Sequence, residues 1–109
     1  MSTNGNILIG EGYSIHGDAY PNNVIDDYLN PIIEKARAAD EVLKAGRKKL
    51  NVKDKIFTFD EIVELLLRKY GGVMDGYVDY YNYEYCVKKG VAYWRSNTKD
   101  KWKIRAAYR

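Results

Sequence analysis

One cysteine, one histidine and two prolines in 109 residues leave little of the vocabulary on which most enzymes and metalloproteins depend. The single thiol, Cys86, excludes an intramolecular disulfide framework and favours a reducing compartment. One histidine, His16, without Cys, His, Asp or Glu clustered at ligand spacing, gives no metal site to assign. Neither a Walker A sequence nor a dinucleotide fingerprint is present. Long apolar runs are missing too. None approaches the roughly 18 residues of a membrane-spanning helix, and the stretch 6–10 is far shorter than a signal-peptide core. The expectation is a cytoplasmic protein with no membrane contact and no cofactor.

What the chain does hold is tyrosine and an uneven charge. With 46% apolar and 30% charged residues it reads as one globular domain over 1–109. There are two phenylalanines but eleven tyrosines, and residues 77–109 contain seven of the tyrosines and both tryptophans. From Tyr85 onward eight Lys/Arg face one acid, Asp100, so the net charge of +3 divides into −4 and +7. Such a split often marks a polyanion-facing surface.

In order, Asn6 to Ile9 suggests a short strand, and Tyr13 to His16 a second, with glycines at 10, 12 and 17 keeping the region loop-like. Asn22 or Asn23 can cap a helical turn over 23–29, and Pro31 marks either a kink or a fresh start. Ile32, Ile33, Ala36, Ala39, Val42 and Leu43 then recur at helical spacing until Gly46. Thr58-Phe-Asp-Glu61 is a capping box opening a helix over 59–70, with Ile62, Val63, Leu65, Leu66 and Leu67 as its apolar face. After Gly71-Gly72 the period changes to two.

A strand over 77–88, a two-residue turn at Lys89-Gly90 and a second strand pair Val87 with Ala92, Tyr85 with Trp94 and Glu84 with Arg95. A third strand pairs Arg95 with Lys101, Trp94 with Trp102 and Ala92 with Ile104. One face of this meander holds Tyr83, Tyr85, Val87, Ala92, Trp94, Trp102, Ile104, Ala106 and Tyr108. The fold class expected is α+β: two helical segments, then a three-stranded antiparallel meander, with the helices packed on that face. The leucines of 59–70 should meet Trp94 and Trp102.

Three places invite a function. On the opposite face Lys88, Tyr93, Arg95, Lys101, Lys103, Arg105 and Arg109 interleave cations with an aromatic, as single-strand binders do to hold a backbone and stack a base. Solubility and edge protection would place the same charges there. Tyr77, Tyr80 and Tyr81 precede the core tyrosines, and strict alternation cannot bury them all; exposed tyrosine is typical of protein recognition. His16, with Glu11, Ser14 and Asp18 nearby, has the parts of an acid/base pair, although a lone histidine among scattered carboxylates is usually an ordinary loop residue. Cys86 shares the polar face, where Lys88 or Arg95 would make it more acidic; filler is the plainer role.

Early helices followed by a basic antiparallel meander resemble in layout the RelE-type ribonuclease toxins. That resemblance, of outline and not of motif, implies Tyr93, Arg95, Lys103, Arg105 and Arg109 grouped around an RNA phosphate. The reading the residues favour is a non-enzymatic binding protein that meets nucleic acid or another polyanion through its cationic sheet face, with no catalytic residue assigned. Its alternatives are a protein-binding inhibitor or adaptor of mobile-element type using residues 77–85, and a small ribonuclease-like enzyme. Partners would be nucleic acid or an acidic protein surface, and an open strand edge over 77–84 would allow a homodimer.

Overall fold

The computed structural model describes residues 3–104, and over them the chain is α+β. β1 (Asn4–Ile7) and β2 (Tyr13–His16) form a hairpin, with Asn4 opposite His16 and Ile7 opposite Tyr13. α1 (Pro21–Asn23), a π-helical stretch (Val24–Leu29) and α2 (Asn30–Lys49) follow without a break. Then come α3 (Phe59–Tyr70), β3 (Met74–Asp75), β4 (Tyr83–Lys88) and β5 (Val91–Arg95). The strands form one mixed sheet in the order β3-β2-β1-β4-β5. β1 and β4 run parallel, Gly5 opposite Tyr83 and Ile7 opposite Tyr85, and every other pairing is antiparallel.

The expected meander is therefore replaced by two hairpins fused through a parallel seam. The strand expected over 77–88 begins only at Tyr83, because residues 77–82 leave the sheet and cross its outer face. Nor do residues 77–84 offer a strand edge to a second copy: β1 pairs with Tyr83 to Tyr85, and residues 77–82 form no strand. The third strand shrinks to a single bridge. Lys103, not Trp102, lies opposite Trp94, with Lys103 N–H to Trp94 O at 2.8 Å and Trp94 N–H to Lys103 O at 2.9 Å. A slip of one residue turns each side chain to the other face. Trp102 accordingly lies outside, away from α3, with its ring 4.2 Å from the Arg95 guanidinium, while the Lys103 ammonium sits 4.7 Å from the Trp94 ring. Asp100 sets the longer loop by accepting from Ser96 N–H, Ser96 Oγ and Lys103 Nζ. Ala106 and Tyr108 lie outside the described residues.

Of the expected inner face, Tyr85, Val87, Ala92 and Trp94 are kept and Tyr83 packs against them, whereas Trp102 has turned outward and Ile104, expected opposite Ala92, is 48% exposed. Ile7, Tyr13, Ile15, Tyr85, Val87, Ala92 and Trp94 are buried with Val24, Ile25, Leu29, Ile32, Ile33 and Ala36 of the helical run and Ile62, Val63 and Leu67 of α3. A β-carbon on Gly5 would come within 2.8 Å of the Tyr85 ring. Glycine lets that ring cross β1 and donate its hydroxyl to Ala19 O at 2.5 Å. The π-helical stretch and α2 touch β5, and α3 packs against α2. Consequently the apolar stripe is shorter than the sequence suggests: Val42 is 71% exposed and Leu65 51%.

Pro31 is accommodated without ending the helix. Its ring has no N–H and, in a regular helix, would strike the carbonyl four residues back. The turn ahead of it widens instead, and Asn30 N–H reaches Ile25 O, five residues back. The capping box of α3 forms as expected, Glu61 N–H to Thr58 Oγ1 at 3.2 Å and Thr58 N–H to Glu61 Oε1 at 3.1 Å.

α3 also reaches β2 through one polar contact, in which the buried Tyr13 hydroxyl donates to Glu64 Oε1 at 3.0 Å. Burial first, then the bond to Glu64 and its charge, push the phenol up to about 12. In the unfolded chain tyrosine ionises near 10, so between those values the unfolded state releases a proton that the folded state keeps. This contribution is complete below about pH 10 and declines as pH rises towards 12. Urea unfolding from pH 8 upward should show stability falling above about pH 10, and Tyr13→Phe should flatten that limb. An unchanged limb in Tyr13→Phe would assign the fall to other groups.

Candidate functional site

The outer face of the sheet carries an unusual row. Ser14, Asn6, Glu84 and Arg95 stand side by side on β2, β1, β4 and β5. Ser14, Asn6 and Glu84 are buried, at 2%, 4% and 6% exposure. Buried polar groups need partners, and the segment 76–82 supplies those of Asn6. The Asn6 side chain accepts from Val78 N–H at 2.9 Å and donates to Val78 O at 3.1 Å, so its amide replaces a strand neighbour. Asn4 holds the far end: its N–H donates to Asn82 Oδ1, its carbonyl accepts from Asn82 N–H and its side chain donates to Tyr80 O. Gly76 N–H to Gly12 O closes the near end at 3.0 Å. Six hydrogen bonds thus fix an irregular segment.

The tyrosines are distributed by this anchoring. Tyr77 lies over Gly12, where any β-carbon would run into its ring, yet the residue stays 55% exposed. Tyr80 projects at 89% exposure and Tyr81 is half-buried. Asp75 and Asp79 are exposed beside them. Beneath the segment is a cleft of about 280 Å³ whose lining includes Tyr77, Asp79, Tyr81, Leu8 and Glu84.

The expected cationic face is partly spent. Arg95, its side chain 17% exposed, donates from Nε to Glu84 Oε1 at 2.9 Å and stacks on Trp102. Lys103 has left that face with the slip, its ammonium lying at the Trp94 ring, and is paired with Asp100 at 2.8 Å; that contact, with the Ser96 bonds, holds the Asp100 carboxyl well below the usual carboxylate range. Lys88 and Lys101 are exposed and Tyr93 is half-buried; Arg105 and Arg109 lie outside the described residues. Cys86 does not project as a reactive thiol would. It is 3% exposed, and burial pushes its thiol up.

His16 lies opposite Asn4, within 3.2 Å of Ser14 Oγ, and the described residues show no hydrogen bond from it to Glu11 or Asp18. Among the described residues no three His, Cys, Asp or Glu side chains gather as a metal site would require, and no helix is long and apolar enough to cross a membrane.

One feature escaped the sequence reading and another was read only as a helix end and a charged connector. Asn4 and Asn6 flank Gly5 in a strand, where Asn is depleted, and that oddity was the available signal for the anchor. The other is Lys44, Arg47, Lys48, Lys49, Lys53 and Lys55 around the α2–α3 connection, with Asp54 the one acid among residues 44–55. The run is visible in the sequence, but helix-end electrostatics accounts for only its first members. Comparison of the chain with protein-family models, with curated proteins and with solved structures gives no match.

Proposed function

We propose that the protein is a non-enzymatic binding protein that recognises another protein through residues 77–81. The observation that carries this reading is Tyr80, 89% exposed on a segment fixed by six hydrogen bonds. Tyrosine brings a large contact area with few rotatable bonds, and a segment already held in one conformation loses little entropy on docking. An inhibitor or adaptor works in this way, by occupying a surface. The test is capture of a protein from cell extract on immobilised chain, followed by purification and titration of that protein. One-to-one binding that persists at about 1 M salt, where screening acts within about 3 Å, and weakens about 30-fold or more in Tyr80→Ala is expected. Equal affinity of Tyr80→Ala and Tyr81→Ala with the parent chain would sink the reading.

Polyanion binding remains as a second reading because Lys88 is exposed on the face that carries Tyr93 and the Arg95–Trp102 stack, and Lys101 is exposed next to Trp102 in the chain. It requires oligonucleotide affinity that falls linearly with salt on logarithmic axes, and Lys88→Ala or Lys101→Ala should each reduce that slope by about one. The ribonuclease-like alternative finds less support. The Arg95 guanidinium is already bound by Glu84, and His16 has Ser14 as its neighbour in place of a carboxylate.

A further inference from the structure

We infer that the cleft under the tyrosine segment receives a cationic side chain, lysine or arginine, from the protein partner; the inference rests on the protein-binding reading above. Its floor is Glu84, whose side chain is 7% exposed. Arg95 engages Oε1, and no hydrogen bond reaches Oε2 from the described residues. Glu84 lines the cleft, as does Asp79, whose carboxylate makes no ion pair among the described residues. Two carboxylates and one guanidinium leave one negative charge at the cleft, and a cation that reaches the buried Glu84 carboxylate is attracted more strongly than at an open surface.

The other walls suit the rest of such a side chain. Tyr77 and Tyr81 are among the lining residues, and aromatic rings attract ammonium and guanidinium groups. Leu8 and Val78 offer apolar surface to the methylenes that precede the charge. Asn6 has both amide atoms engaged by Val78 and does not compete for the ligand. At about 280 Å³ the cleft lies just below the roughly 300–1,000 Å³ of small-molecule sites. One side chain fits that size better than a nucleotide or a peptide.

The experiment titrates the intact protein with N-acetyl-arginine methylamide, N-acetyl-lysine methylamide, the neutral N-acetyl-citrulline methylamide, and spermidine, following amide shifts by NMR. Saturable shifts centred on Val78, Asp79 and Glu84, with Kd in the millimolar range (about 4 kcal/mol at 1 mM), are expected for the cationic amides. Citrulline should bind at least tenfold more weakly. Asp79→Asn and Tyr77→Leu, both at exposed positions, should each weaken cation binding about fivefold or more, and Glu41→Gln on α2 should leave it unchanged. Equal binding of citrulline, or shifts centred elsewhere, would overturn the inference. Spermidine binding tenfold tighter than either amide would make the occupant a free polyamine and overturn the partner side chain. Loss of cation binding in Asp79→Asn alongside protein capture that ignores Tyr80→Ala would retain the cation site and reject the protein-binding reading. The converse pair of results would reject the cation site alone.

Discussion

Arg95→Met is expected to cost about 3–5 kcal/mol of stability at neutral pH, the range for breaking a buried ion pair from one side. The magnitude follows from which charge is left behind. Glu84, its side chain 7% exposed, is more deeply placed than Arg95 at 17%, so removing the guanidinium strands the group with less access to water. The same change removes the cation from the Trp102 ring, 4.2 Å away, and frees the loop that follows β5. Glu84→Leu/Arg95→Met, which removes both charges, should recover to within about 1 kcal/mol of the parent, since well-packed apolar replacements of buried pairs are often neutral. Denaturant unfolding of the four proteins of this cycle measures the coupling directly. A single-variant loss below about 1 kcal/mol would mean that the pair behaves as an exposed one.

Asn6→Leu is expected to be the second most disruptive change, at about 2–4 kcal/mol, from two lost bonds and the desolvation of the Val78 backbone groups they served. Here the character of the loss matters more than its size. Val78 can regain water if the segment 76–82 lifts, so part of the loss should appear as local opening and not as global unfolding. Amide exchange at Val78 and Asn82 should therefore accelerate more than exchange in β4 and β5. Binding through Tyr80 should weaken although no tyrosine has changed, because the cost of ordering the segment returns to the binding step. Uniform acceleration throughout the sheet would show that Asn6 serves the fold as a whole and not the segment in particular.

These two residues also show how far the sequence could be read. The pairing of Glu84 with Arg95 and of Tyr85 with Trp94 follows from alternation once the turn is placed. Lys89-Gly90 suits such a turn, though Asn-Gly would mark it more strongly, and in the structure the two residues take φ of 51° and 77°, the primed geometry that a two-residue hairpin needs. The capping box at Thr58 was legible for the same reason: each partner lies within a few residues of the other. Asn6 was not legible. Its partner, Val78, lies beyond all the helices, and nothing local to either residue specifies the parallel seam between β1 and β4. The slip at Trp102 was lost in a different way. Strand alternation is blind to loop length, and Asp100 draws Ser96 and Lys103 together so that the returning chain arrives one residue late. The candidate site is divided likewise. Tyr77, Tyr80 and Tyr81 stood out by composition, whereas the cleft beneath them depends on a seam that only the tertiary structure reveals.

That seam also bears on how the molecule assembles. Each hairpin can form from neighbours in the chain, but β1 meets β4 only after the helices between them have folded back, and contacts so distant in sequence form slowly. During synthesis the first hairpin is made well before its partner strand exists. Until they meet, β1 and β4 each carry an unpaired edge suited to joining another chain. The period of greatest aggregation risk for this protein should therefore fall in biosynthesis, between completion of the helices and docking of β4.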